Sequence, residues 1–143
     1  MTDTTTILDL PTEEEEEKID PRHQRRMDLV QQLFSKSFNQ EQFSLADAKE
    51  YDPVVLEVLE AAAQLDALIT QAAPERPVSE INKVDLAILR LIMFESQSTK
   101  TPKKVLINEA VELAKKFGTD SSPRFVNGVL GKLLISSTPN NKD

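Results

Sequence analysis

The chain has 143 residues, enough for one domain with its own core. It has no cysteine and a single histidine, His23, which excludes disulfides, thiolate zinc sites, cysteine catalysis and any multi-histidine metal centre. The net charge of −7 lies entirely in residues 1–20, where eight acids meet one base, and the rest balances at 16 acids against 16 bases.

Residues 1–20, MTDTTTILDLPTEEEEEKID, are polar, acidic and free of aromatics, and are expected to form a disordered acidic tail. They lack the basic start and apolar stretch of a signal peptide. No run of about 18 apolar residues follows, so a cytoplasmic protein is expected. Asp20-Pro21 reads as an N-cap followed by proline at the first helical position, opening a helix to about Phe38. Met27, Val30, Leu33, Phe34 and Phe38 recur at helical spacing and form its core stripe. A short irregular or helical piece is expected around Ser44–Glu50. Asp52-Pro53 opens a second helix to about Thr70, and Pro74 and Pro77 then break the chain.

Asn82-Lys83-Val84-Asp85 resembles a capping box with Asp in place of the usual Glu. The helix it opens, over 83–96, contains LAILRLIMF, apolar nearly all round, and should be the central buried helix. Thr101-Pro102 starts the next helix and Gly118 ends it. Ser122-Pro123 starts the last, with Val126, Val129, Leu130 and Leu133 as its stripe and an end near Leu134. The prediction is an all-α bundle of five main helices plus one or two short ones over residues 21–136, with a frayed C-terminus over 137–143.

Charge within this body is polarised. Arg22, Arg25, Arg26 and Lys36 face one acid between residues 22 and 38. Seven bases face three acids between 100 and 134, and between Glu41 and Glu75 eight acids face Lys49. Such asymmetry marks a nucleic-acid face or a solvated surface. No P-loop, dinucleotide fingerprint, GxSxG or HExxH occurs, so an enzyme is not expected, nor is a metal or cofactor.

Three segments in order carry a resemblance. INEAVELAKKFGTDSSPRFVNGVL (Ile107–Leu130), NKVDLAILRLIMFES (Asn82–Ser96) and RHQRRMDLVQQLF (Arg22–Phe34) together resemble the NusB family of transcription antitermination factors, over about residues 22 to 134. The resemblance implies an all-helical protein that binds single-stranded boxA-type RNA of ribosomal RNA operons. It further implies a pairing with NusE, a small-subunit ribosomal protein, within the transcription elongation complex. The family's opening helix carries a denser arginine run than Arg22-His23-Gln24-Arg25-Arg26, which lowers the expected phosphate affinity. That thin run motivates an alternative reading, a protein-interaction module that keeps the NusE surface but has weak or no specific RNA binding. A NusB-like domain also occurs fused to ribosomal RNA methyltransferases, but the chain is expected to be free-standing.

Candidate RNA-binding residues each have a plainer reading. Arg22, Arg25 and Arg26 offer forked donors to phosphate; otherwise they form a solvated face or pair with the acidic tail. Cations at a helix N-terminus oppose the dipole, which favours function. Phe125, beside Arg124, either stacks on an unpaired base or packs in the core. Asn127 either bonds a base edge or satisfies buried backbone at a close approach allowed by Gly128. Lys104 is the one lysine placed near the junction oriented toward RNA. Glu95 either contacts NusE, as the resemblance implies, or forms a local ion pair with Lys100. His23 is polar surface or a weak pH-dependent RNA contact.

Overall fold

A computed structural model describes residues 20–38 and 51–136; the expected acidic tail up to residue 19, the piece around Ser44–Glu50 and the segment 137–143 lie outside the described residues. Among the described residues are six α-helices and no strand. They are α1 (Pro21–Lys36), α2 (Pro53–Glu60), α3 (Ala62–Ala72), α4 (Lys83–Ser98), α5 (Lys103–Phe117) and α6 (Ser122–Leu130). A 3-10 turn, Val78–Glu80, precedes α4, and a π-helical turn, Gly131–Ser136, follows α6.

The caps form where the sequence places them. The Asp20 carboxylate accepts the Arg22 backbone N–H at 2.8 Å, and Asp52 accepts that of Val54 at 2.9 Å. The Asp52 backbone N–H itself donates to Gln32 Oε1 at 2.9 Å, tying the start of α2 to α1. One turn on, Lys36 Nζ lies 4.6 Å from the centre of the Tyr51 ring. Asn82 accepts N–H groups of Val84 and Asp85, but Asp85 is 4% exposed and buried beneath the turn.

Two elements differ from expectation. The second helix, expected to run unbroken to about Thr70, is broken at Ala61 (φ −87°, ψ 0°) into α2 and α3. Nothing local marks the break, because the Ala61–Ala63 trio has the strongest helix propensity available. The last helix changes from α to π at Gly131. The longer i→i+5 turn rotates the inward face by one residue, burying Leu134 and leaving the expected Leu133 half-buried.

Helix α4 packs against all five other α-helices. Its Ile88, Leu89, Leu91 and Ile92 are completely buried, alongside Val55, Val58, Leu65, Ile69, Leu106 and Leu113 from its neighbours. Each such side chain contributes about 1.5–3 kcal/mol relative to exposure. On the polar side of α4, Arg90 forks onto Asp66 of α3 at 2.7 and 2.8 Å. No helix among the described residues is long and apolar enough to cross a membrane.

Candidate nucleic-acid interface

Proline at N1 and the Asp20 cap fix the first two turns of α1, where the arginines stand in different environments. Arg22 is exposed, and its guanidinium has no partner among the described residues. Arg25 grips Asp52 of α2 through Nε at 3.1 Å and Nη2 at 3.0 Å. The Asp52 carboxylate, through this hydrogen bond and its charge, holds the Arg25 proton more firmly than usual. Reciprocally, Arg25 lowers the Asp52 carboxyl below its ordinary range, against a smaller desolvation effect.

Arg26 is 8% exposed. Its Nε and Nη2 bond the two Glu95 oxygens at 2.9 Å each, and Nη1 reaches Glu109 of α5 at 3.0 Å. His23 Nδ1 lies 2.9 Å from the same Glu109 oxygen. The sequence reading offered Arg26 to phosphate; instead its fork is filled by carboxylates of two other helices, Glu95 in the last turn of α4 and Glu109 in the middle of α5. Glu95 likewise pairs with Arg26 and not with Lys100. Arg22 and Arg26, four residues apart, share a face of α1; they differ because Arg26, one turn further in, reaches Glu95 and Glu109, whereas Arg22 stands exposed in the first turn.

A cleft of about 260 Å³ opens beside these residues. Arg22 and Arg25 line one side, Phe94 and Glu95 another, and Ser98 and Thr101 its α4–α5 end. It therefore combines cationic, apolar and hydroxyl surface.

The second candidate region is the turn from α5 to α6. Gly118 lies so close to Ser122 that an added Cβ would come 2.4 Å from its Oγ. Ser122 is completely buried, and its Oγ accepts the Thr119 N–H at 2.9 Å, which closes the turn. Arg124 and Asn127 are exposed just beyond it, and neither side chain has a partner among the described residues. Gly128 has open space around it, so the close approach that would occupy Asn127 with backbone is absent there. Phe125 takes the core-packing role of the two expected for it, and its ring also has a partner that the sequence did not suggest. It packs half-buried against the core, while its ring carries the Arg76 guanidinium, Cζ 4.4 Å from the centroid.

Lys104 does not join this turn. It is exposed in the first turn of α5, and the turn follows the other end of that helix, about 20 Å away at 1.5 Å per residue. Sequence reasoning missed Arg76, which sits in the stretch between Pro74 and Pro77 read only as a break. It also missed Asp85 behind it. One Asp85 oxygen has no hydrogen-bond partner among the described residues. Burial pushes this carboxyl above its ordinary range, while the Ser122 hydroxyl and the Arg76 charge counter that push. Among the described residues no group of three or more His, Asp or Glu is arranged to hold a metal ion.

Comparison with known proteins converges on one description. The model of the NusB family matches residues 9–134, starting upstream of the resemblance read from residue 22. The chain is 45% identical over 106 residues to the transcription antitermination protein NusB of Roseiflexus castenholzii, covering 72% of this chain and 75% of that one. It is 35% identical over 124 residues to the protein of that name from Campylobacter concisus, covering 78% and 95%. The structure of T. maritima NusB superposes with a TM-score of 0.69 at 28% identity, covering 86% of this chain and 96% of that one.

Proposed function

The chain belongs to the NusB family of transcription antitermination factors, and we propose that it is a non-catalytic member that binds boxA-type single-stranded RNA of ribosomal RNA operons together with NusE. The observation that carries this reading is the α5–α6 turn, where an exposed Arg124 with no ion-pair partner among the described residues flanks a half-buried aromatic ring. Unpaired bases are held by aromatic or guanidinium planes, and phosphates by free cations, so the two chemistries required for a single strand are adjacent. Arg22 and Arg124 then hold phosphate oxygens, Asn127 a base edge, and Phe125 belongs to the platform against which a base is held. Arg25 contributes through the exposed part of its guanidinium, whose side chain is 58% exposed despite Asp52. Arg26 supports the site from beneath by fixing α1 to α4 and α5. Lys104 contributes only to a strand long enough to run the length of α5.

NusE is assigned to the cleft that Glu95 lines. Its approach there completes an RNA surface within the elongation complex, in the cytoplasm. A second reading is favoured by one specific observation: two of the three opening arginines are already bound to carboxylates of the same chain. On that reading the chain keeps the NusE surface and lacks specific RNA recognition.

Titration of a boxA-type RNA and of a scrambled RNA of equal length, each with and without NusE, separates the two. Saturable binding that prefers the boxA-type sequence and tightens with NusE is expected. Equal, weak binding to both RNAs alongside normal NusE association would leave the interaction module.

A further inference from the structure

Phe125 is the residue that sequence reading offers to a base, but its half-buried ring already has a partner. Arg76 is exposed and its Cζ lies over the ring, 4.4 Å from the centroid, so the guanidinium occupies a ring face. A base laid directly on Phe125 would have to expel it. We infer that Arg76 is itself the base-binding residue, its guanidinium plane, backed by the Phe125 ring, being the surface on which an unpaired RNA base stacks. This deepens the RNA-binding reading above and rests on it.

Three observations support the assignment. A guanidinium is flat, delocalised and weakly hydrated, so it stacks on an aromatic face and still offers its other face to a second π-system. Among the described residues none bonds an N–H group of the Arg76 side chain and no carboxylate forms an ion pair with it, unlike Arg25, Arg26 and Arg90; Asp85 acts on it only through its charge. Its edge donors therefore remain available to a phosphate or a base edge. Finally, the ring it covers is held by the closed turn at Ser122, and Arg124 stands next to that ring in the chain. The stack thus has a rigid backing and a cation beside it.

The plainer role for Arg76 is to shield Phe125 from water. Arg76→Lys distinguishes the two, because lysine keeps the charge and the cover but not the plane. The probe is boxA-type RNA carrying a fluorescent aminopurine at successive positions, titrated with the full chain in the presence of NusE. For the parent protein, one position is expected to be quenched on binding. In Arg76→Lys that quenching should be lost and affinity should fall about fivefold or more, with the melting temperature and the salt dependence unchanged. Arg76→Lys binding with parental affinity and quenching overturns the inference while leaving the RNA-binding reading intact. Phe125→Leu, checked for folding by circular dichroism, gives a second outcome: loss of quenching there but not in Arg76→Lys would show that the base displaces Arg76 and lies on the ring. Absence of saturable binding by the parent protein would overturn both readings.

Discussion

The molecule has two cationic regions that look alike in sequence and differ in what answers their charge. At the start of α1, Arg25, Arg26 and His23 meet Asp52, Glu95 and Glu109, carboxylates 27, 69 and 86 residues away for Arg25–Asp52, Arg26–Glu95 and His23–Glu109. At the α5–α6 turn, Arg124 meets no acid among the described residues and Arg76 lies on a ring. A run of arginines in a sequence therefore does not measure the charge available to a ligand. In this fold the denser run mainly joins helices together, and the sparser region keeps its cations free.

The comparison breaks most visibly at Glu95. Glu95→Lys places a cation against the buried Arg26 fork, where the Arg26 and Glu95 side chains are 10% and 15% exposed. Removing one partner of a buried pair costs about 3–5 kcal/mol, so the variant should unfold at much lower urea. Parental stability would show that the α1 arginines are not structural after all. The turn is tested next by Gly118→Ala, whose Cβ would collide with Ser122 Oγ and come 2.9 Å from the Ala114 carbonyl oxygen. Overpacking of this kind costs about 1–3 kcal/mol, measurable by the same denaturation. An unchanged midpoint would mean that the turn yields easily and gives Phe125 no fixed backing.

The two regions also predict opposite pH dependences. Asp52, lowered by Arg25, contributes stability that is fully present above the unfolded value of 3.8 and is lost as pH falls through its lower folded value. Asp85 is raised by burial, so its effect runs the other way: the folded state is favoured below 3.8 and loses stability as pH rises through the folded value. Asp85→Asn should therefore gain on the parent between pH 4 and 7, by up to about 1–3 kcal/mol for a buried polar group. Asp52→Asn, which keeps the cap, should lose only about 0.2–1 kcal/mol at pH 7, because Arg25 is largely exposed, and the loss should vanish at low pH. Urea melts across this range check both signs, and parallel curves would remove the distinction between an answered and an unanswered carboxylate.

The elements were legible where their signals are local. Asp20-Pro21, Asp52-Pro53 and Asn82 cap the helices they were expected to open, and LAILRLIMF forms the central helix. The break at Ala61 was not legible, since a tract of alanines carries no stop signal; both halves pack on α4. At the site, the residue types were legible and their partners were not. The spacing of Arg22, Arg25 and Arg26 placed them on α1, but which of them meets a carboxylate depends on where α4 and α5 bring Glu95 and Glu109. Arg76 was invisible for the same reason, because the ring it covers lies 49 residues downstream.

The junction between α1 and α2 has a consequence for how the chain can vary. Gln32 holds the Asp52 amide, Arg25 its carboxylate, and Lys36 the Tyr51 ring, so both ends of residues 39–50 are moored to the same helix. The start of α2 is thus registered on α1 by three chemically different contacts, an amide hydrogen bond, an ion pair and a cation on a ring, so the loss of any one leaves two to keep the helices in place.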